Sequence, residues 1–146
     1  MKSSIIHFGI LAVVVAVIGA CATLQPLPLL PLPPNAEVPK LTGSWEGSWT
    51  AHGTVHPITL NIAEQKDGRV SGTITVIGPL SGQATPMTGT LGLRDGKTVL
   101  LVTVARYTTT DEFRFTVVSP DKLEGWGTGT GGLPHEHDGS VSLARR

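Results

Sequence analysis

The sequence predicts an all-β chain: a single antiparallel eight-stranded up-and-down β-barrel. Three observations predict it. From Leu41 onward, apolar and polar residues alternate with period two over eight short stretches, the pattern of strands with one buried face. Turn residues separate these stretches at regular spacing, Asp67-Gly68 and Asp95-Gly96 being the strongest hairpin signals. No ten-residue stretch after Lys40 shows helical periodicity.

The first strand is expected over about 43–51, where Trp45, Gly47 and Trp49 share one face and Ser44, Glu46 and Ser48 the other. The second, about 56–64, places Ile58, Leu60 and Ile62 together. The third, about 69–77, alternates Val70, Gly72, Ile74 and Val76 against serine and threonine. The fourth, about 86–93, offers Met87, Gly89, Leu91 and Leu93; the fifth, about 97–105, is apolar on both faces. The sixth, about 111–118, sets Phe113, Phe115 and Val117 against Arg114 and Thr116. The seventh, about 121–128, carries Leu123, Gly125 and Gly127 on one face and Glu124 and Trp126 on the other. The eighth, about 137–145, alternates Val141, Leu143 and Arg145 with Ser140, Ser142 and Ala144.

The even-numbered links between these strands are tight, whereas 52–55, 78–85, 105–110 and 129–136 read as longer and looser. In a meander the two sets lie at opposite ends. One end is then closed by short turns and the other is an open rim of loops. Closing the barrel also removes the free edges that such a sheet would expose.

Length predicts one folded domain, over 41–146. Charged residues are only 15% of the chain and the formal net charge is zero, which speaks against a nucleic-acid surface. A single cysteine, Cys21, excludes an internal disulfide in the monomer.

Residues 1–20 have the parts of a signal peptide: Lys2, an almost wholly apolar run from Ile5 to Ala20, and small residues before a break. As a helix, sixteen apolar residues reach about 24 Å, short of the roughly 30 Å hydrocarbon core, so a retained transmembrane anchor is the weaker reading. Residues 21–40 follow as a linker with six prolines between Leu24 and Lys40, which excludes helix and central strand. The plainer expectation is a solvated polyproline-like tether rising about 3.1 Å per residue. Its leucines could instead dock on the domain or lie at a membrane surface.

Ile18-Gly19-Ala20-Cys21 resembles the lipobox of bacterial lipoproteins. The resemblance implies that Cys21 is lipidated with diacylglycerol and a further acyl chain such as palmitate, and becomes the mature N-terminus. Ala22 rather than aspartate follows it, which in a Gram-negative cell implies the outer membrane. Several acyl chains on one residue anchor far better than one.

Gly43-Ser44-Trp45 looks like the Gly-x-Trp signature that opens the first strand of lipocalins and related calycin barrels. The resemblance implies an eight-stranded meander with a ligand cup, and a late basic residue packed over the tryptophan. Arg145 is placed to match, because antiparallel pairing of the first and last strands brings it to Trp45, where arginine can stack on indole. The alternative is a β-sandwich with a structural tryptophan.

Chemistry-bearing residues are sparse. His52 and His56 flank the first rim link, and His135 and His137 precede the last strand, so the topology carries all four to one corner. Imidazoles with nearby Glu136 and Asp138 suit zinc or copper(II), yet the spacing is unspecific and solvated loop histidines are the plainer reading. No nucleophile elbow or phosphate loop is present, and the domain has no cysteine, so an enzyme is not expected.

The sequence therefore leads to the expectation of a lipid-anchored envelope protein, monomeric, non-enzymatic and without a cofactor. Its lumen, lined by Trp49, Ile58, Leu60, Ile74, Leu91, Phe113 and Phe115, would bind a small apolar molecule or lipid. Eight-stranded barrels can be filled solid by their own side chains, and the inward glycines 47, 72, 89 and 125 leave space that favours either a cavity or a flattened barrel. The alternative is a protein-interaction or inhibitor module acting through the rim loops.

Overall fold

The computed structural model describes residues 28–78, 82–105, 110–129 and 138–146. They form β1 (Gly43–Ala51), β2 (Thr54–Lys66), β3 (Arg69–Val76), β4 (Thr85–Arg94), β5 (Lys97–Ala105), β6 (Thr110–Ser119), β7 (Lys122–Gly129) and β8 (Gly139–Arg145). Each strand pairs antiparallel with the next, and β8 returns to β1 to close the barrel in chain order. The expected architecture is the observed one.

Alternation decides what lies inside. Trp45, Trp49, Ile58, Leu60, Ile74, Leu100, Val102, Phe113, Phe115, Leu123 and Leu143 belong to one buried cluster that fills the interior. The outward positions of β1, β3 and β4 carry Ser44, Glu46, Ser48, Thr73, Thr75, Thr88 and Thr90. A barrel that spans a membrane needs the reverse, an apolar outer band. The outward positions of β1, β3 and β4 do not form such a band.

The turns confirm the even links and correct one odd one. Asp67-Gly68 and Asp95-Gly96 are two-residue hairpin turns with φ of 50° and 74°, and 52° and 73°. Positive φ at both positions marks the turn class whose twist matches the strands. His52-Gly53 has the same form, with φ of 48° and 76°, because β2 begins at Thr54. The first rim link is therefore as tight as those at the other end, not a loose loop.

The proline-rich segment follows the alternative expectation, docking on the domain, and not the plainer one. From Pro28 to Lys40 it is no solvated tether; it crosses the tight-turn end as a strap. β3 begins opposite Thr90, which leaves the end of β4 overhanging without a partner on that side. Leu30 fills the gap, exchanging backbone hydrogen bonds of 2.9 and 2.8 Å with Leu93. Leu32 packs against the core and Leu41 is fully buried within it. Backbone donors and acceptors at a sheet edge are costly when unpaired, which is the driving force for this docking.

The barrel's β-bulges re-aim side chains. The one between Ile62 and Glu64 turns Gln65 to the inner side, opposite Val70. From there its side-chain amide donates to Pro39 O (2.8 Å) and its carbonyl accepts from Leu41 N (2.7 Å). Gln65 thus ties the strap across the barrel end.

Candidate functional site

The two ends of the lumen differ in construction. At the strapped end, Trp45 is fully buried and its indole N–H donates to Leu41 O at 2.9 Å. The Arg145 guanidinium lies over that indole, 4.4 Å from the ring centroid. It also donates to Lys40 O (2.7 Å), Thr42 O (2.8 Å) and Pro120 O (2.9 Å), and pairs with Asp121 at 3.0 Å. One cation thereby joins the strap, β1 and the turn before β7. The expected meeting of Trp45 and Arg145 is present in the register and in the ring contact.

At the rim end the interior is aromatic and partly polar. Trp49 packs edge-on against Phe113 (5.8 Å between centroids) and tilted against His56 (5.8 Å); Phe113 stacks on Phe115 at 6.2 Å. Gly127 and Gly139 make room for the indole: a methyl group at Gly127 would lie 2.6 Å from the Phe113 ring, and one at Gly139 2.8 Å from Trp49 Nε1. Asp111 lies on the same face of β6 as Phe113 and Phe115, and only 6% of it is exposed. Among the described residues it is the buried ionisable side chain. Its inward position follows from the alternation of β6, 111 sharing parity with 113 and 115, but a lone aspartate at a strand start reads first as a turn residue.

Trp49, Ile58, Leu60, Ile74, Leu91, Phe113 and Phe115 all face the interior and are buried. None of them lines the open grooves found among the described residues. Of the two outcomes that the inward glycines allow, the structure shows close approach of the strands and not a cavity. A side chain at Gly47, Gly72 or Gly125 would run into the backbone carbonyl of Ser142, Asn61 or Arg114, and one at Gly89 would meet Val70 and Leu101. They permit close strand approach and filling by neighbours. Glu124 and Trp126, on the other face of β7, point outward, with Glu124 paired to Lys122 at 2.5 Å.

The histidine corner divides. His56 lies against Trp49 and close to Gly78, and His52 stands on the β1–β2 turn. The β1–β8 register sets Gly139 beside Ala51, so the start of β8 does reach this corner. His135 and His137 lie outside the described residues, as do Cys21, the lipobox and the signal segment. Among the described residues no group of three His, Cys, Asp or Glu side chains is arranged to hold a metal ion.

Compared with family models and with curated proteins, the chain finds no match in sequence. Among solved structures it is similar to a redesigned β-barrel, with TM-score 0.53 and 14% identity over 73% of this chain and 90% of that one. It is also similar to a de novo designed fluorescence-activating β-barrel, with TM-score 0.50 and 15% identity over 72% and 93% of the two chains. A structure of core-bradavidin aligns with TM-score 0.44 and 17% identity over 69% and 96%. At these identities the first two establish the fold: a closed, eight-stranded antiparallel up-and-down β-barrel.

Proposed function

We propose that the chain is a lipid-anchored, non-enzymatic envelope protein whose barrel binds a small apolar or aromatic molecule at the rim end of its lumen. The observation that carries this reading is the asymmetry of the two ends. Strap, Trp45, Gln65 and Arg145 seal one mouth with hydrogen bonds and buried apolar side chains. A ligand would enter from the rim, where Trp49 packs against His56 and Phe113 and where Asp111 is buried on the same face of β6 as Phe113. With Trp49 and Phe113 buried, the rings have to part to admit it. Aromatic walls with a few polar groups are the usual make-up of a small-molecule site. Cys21 holds the barrel to the membrane in this reading, and no metal or cofactor takes part.

Native mass spectrometry tests it, on protein released in mild detergent from its own membranes. A bound mass of a few hundred daltons that Trp49→Ala and Phe113→Ala remove supports the lumen site. A bare acylated chain under gentle conditions counts against it.

The second reading, a protein-interaction module, has an observation of its own. Val55 and Ile77 are exposed on the outside of the rim end, on β2 and just after β3, and Ile77 N bonds Pro57 O at 2.9 Å. With Pro57 they form an apolar patch at the rim end, beside the hydroxyl-bearing outer faces of β1, β3 and β4, the kind of patch that marks a protein contact. A partner captured by the native barrel and lost with Val55→Ser and Ile77→Ser would favour this reading over the first.

A further inference from the structure

On the outer wall, a groove runs from the β4–β5 turn to the middle of β7, with Arg94, Asp95, Lys97, Arg114 and Trp126 around a floor that includes Val99. Val99 is buried although it faces away from the interior cluster, so the groove's own side chains cover it. Arg114 is held by Glu112 at 2.6 Å and Arg94 faces Asp95 at 3.9 Å, while Lys97 has no carboxylate within ion-pair reach among the described residues. Trp126 is half exposed, and it is the exposed one of the chain's three tryptophans, Trp45 and Trp49 being buried.

The strap ties this wall to the anchor. Leu29 lies over Gly92, and Leu30, 65% exposed, is bridged to Leu93, the residue before Arg94. The chain therefore reaches the barrel at the corner where the groove begins. From Cys21 to Pro28 is seven residues, which cannot span more than about 25 Å however they run. A lipid on Cys21 would hold this corner within about 25 Å of the bilayer.

We propose that this wall rests on the anionic headgroup surface of the membrane that holds the chain, with Lys97 and Arg94 toward lipid phosphates and Trp126 and Leu30 at the interface. Tryptophan is favoured there because its ring is amphipathic, and each cation near the surface adds attraction to anionic lipid that salt screens. The barrel axis then lies along the surface, and the rim with its ligand mouth opens beside the bilayer rather than into it. The inference rests on the lipid-anchor reading above, and it adds an orientation which that reading leaves open.

The test uses the full-length protein, purified from its own membranes and placed in phosphatidylcholine vesicles with and without phosphatidylglycerol. The exposed indole is its reporter. In anionic vesicles, brominated acyl chains are expected to quench the tryptophan emission and aqueous acrylamide to lose its effect. Trp126→Phe should abolish both responses, and Lys97→Gln with Arg94→Gln, or high salt, should restore acrylamide quenching without releasing the protein. An acylated, vesicle-bound protein whose Trp126 stays open to acrylamide and untouched by bromolipid overturns the orientation while leaving the anchor standing. A Cys21 peptide without diacylglycerol, on protein that stays off the vesicles, overturns the anchor and this proposal together.

Discussion

At Trp45 burial, a 2.9 Å hydrogen bond to Leu41 O and a guanidinium 4.4 Å above the ring act on one side chain. Trp45→Ala should cost about 3–5 kcal/mol in urea denaturation, from lost transfer energy and the cavity left behind. A cost below about 1 kcal/mol would remove it from the core. Arg145→Lys keeps the charge but loses the planar fork that serves three carbonyls and the indole together, and should cost about 1–3 kcal/mol. Gly125→Ala has no room, since its methyl group would overlap the Arg114 carbonyl. About 1–3 kcal/mol of destabilisation is expected there, read as a lowered thermal midpoint. The Trp45–Arg145 contact was legible in the sequence, because alternation and antiparallel closure together fix which ends of β1 and β8 meet. Gln65 was not, because a bulge changes which side a residue faces and leaves no mark on the alternation until the partner strand is known.

Among the elements, the strap tests whether a proline-rich segment can be part of a fold. Proline removes its own donors, but the leucines between the prolines keep theirs, and Leu30 uses its backbone to cap the overhang of β4. Gly92→Val would press on Leu29 and on the Leu30 carbonyl, each 2.7 Å from the added methyl position. The expected result is a barrel with unchanged strand signal whose residues 28–40 become open to protease. A strap that stays resistant would mean that Leu32, Leu41, Gln65 and Arg145 hold it without the Leu30–Leu93 bridge. Gln65→Ala should loosen the same segment at a cost of about 1–3 kcal/mol, because Leu41 N and Pro39 O lose their partner. The eight strands themselves were readable to within about two residues at each end, since apolar alternation marks their bodies and turn chemistry most of their ends.

For the whole molecule, Cys21→Ser should move the protein from the membrane fraction to the soluble one. Undiminished membrane retention would refute the lipid anchor. The sequence by itself determined the all-β class, the eight strands and most of the division of residues between interior and wall, while leaving a β-sandwich as the alternative to closure. These follow from period-two alternation and turn chemistry, which are local properties of the chain. The tertiary structure decided three other things. It made the strap part of the barrel, because an edge without a partner appears only once β3 and β4 are in register. It turned the inward glycines from space into strand contacts, because the distance between backbones is set by how the barrel coils. It also made one lumen end sealed and the other aromatic and polar, because Gln65, Leu41 and Arg145, far apart in sequence, meet only after the sheet has closed on itself.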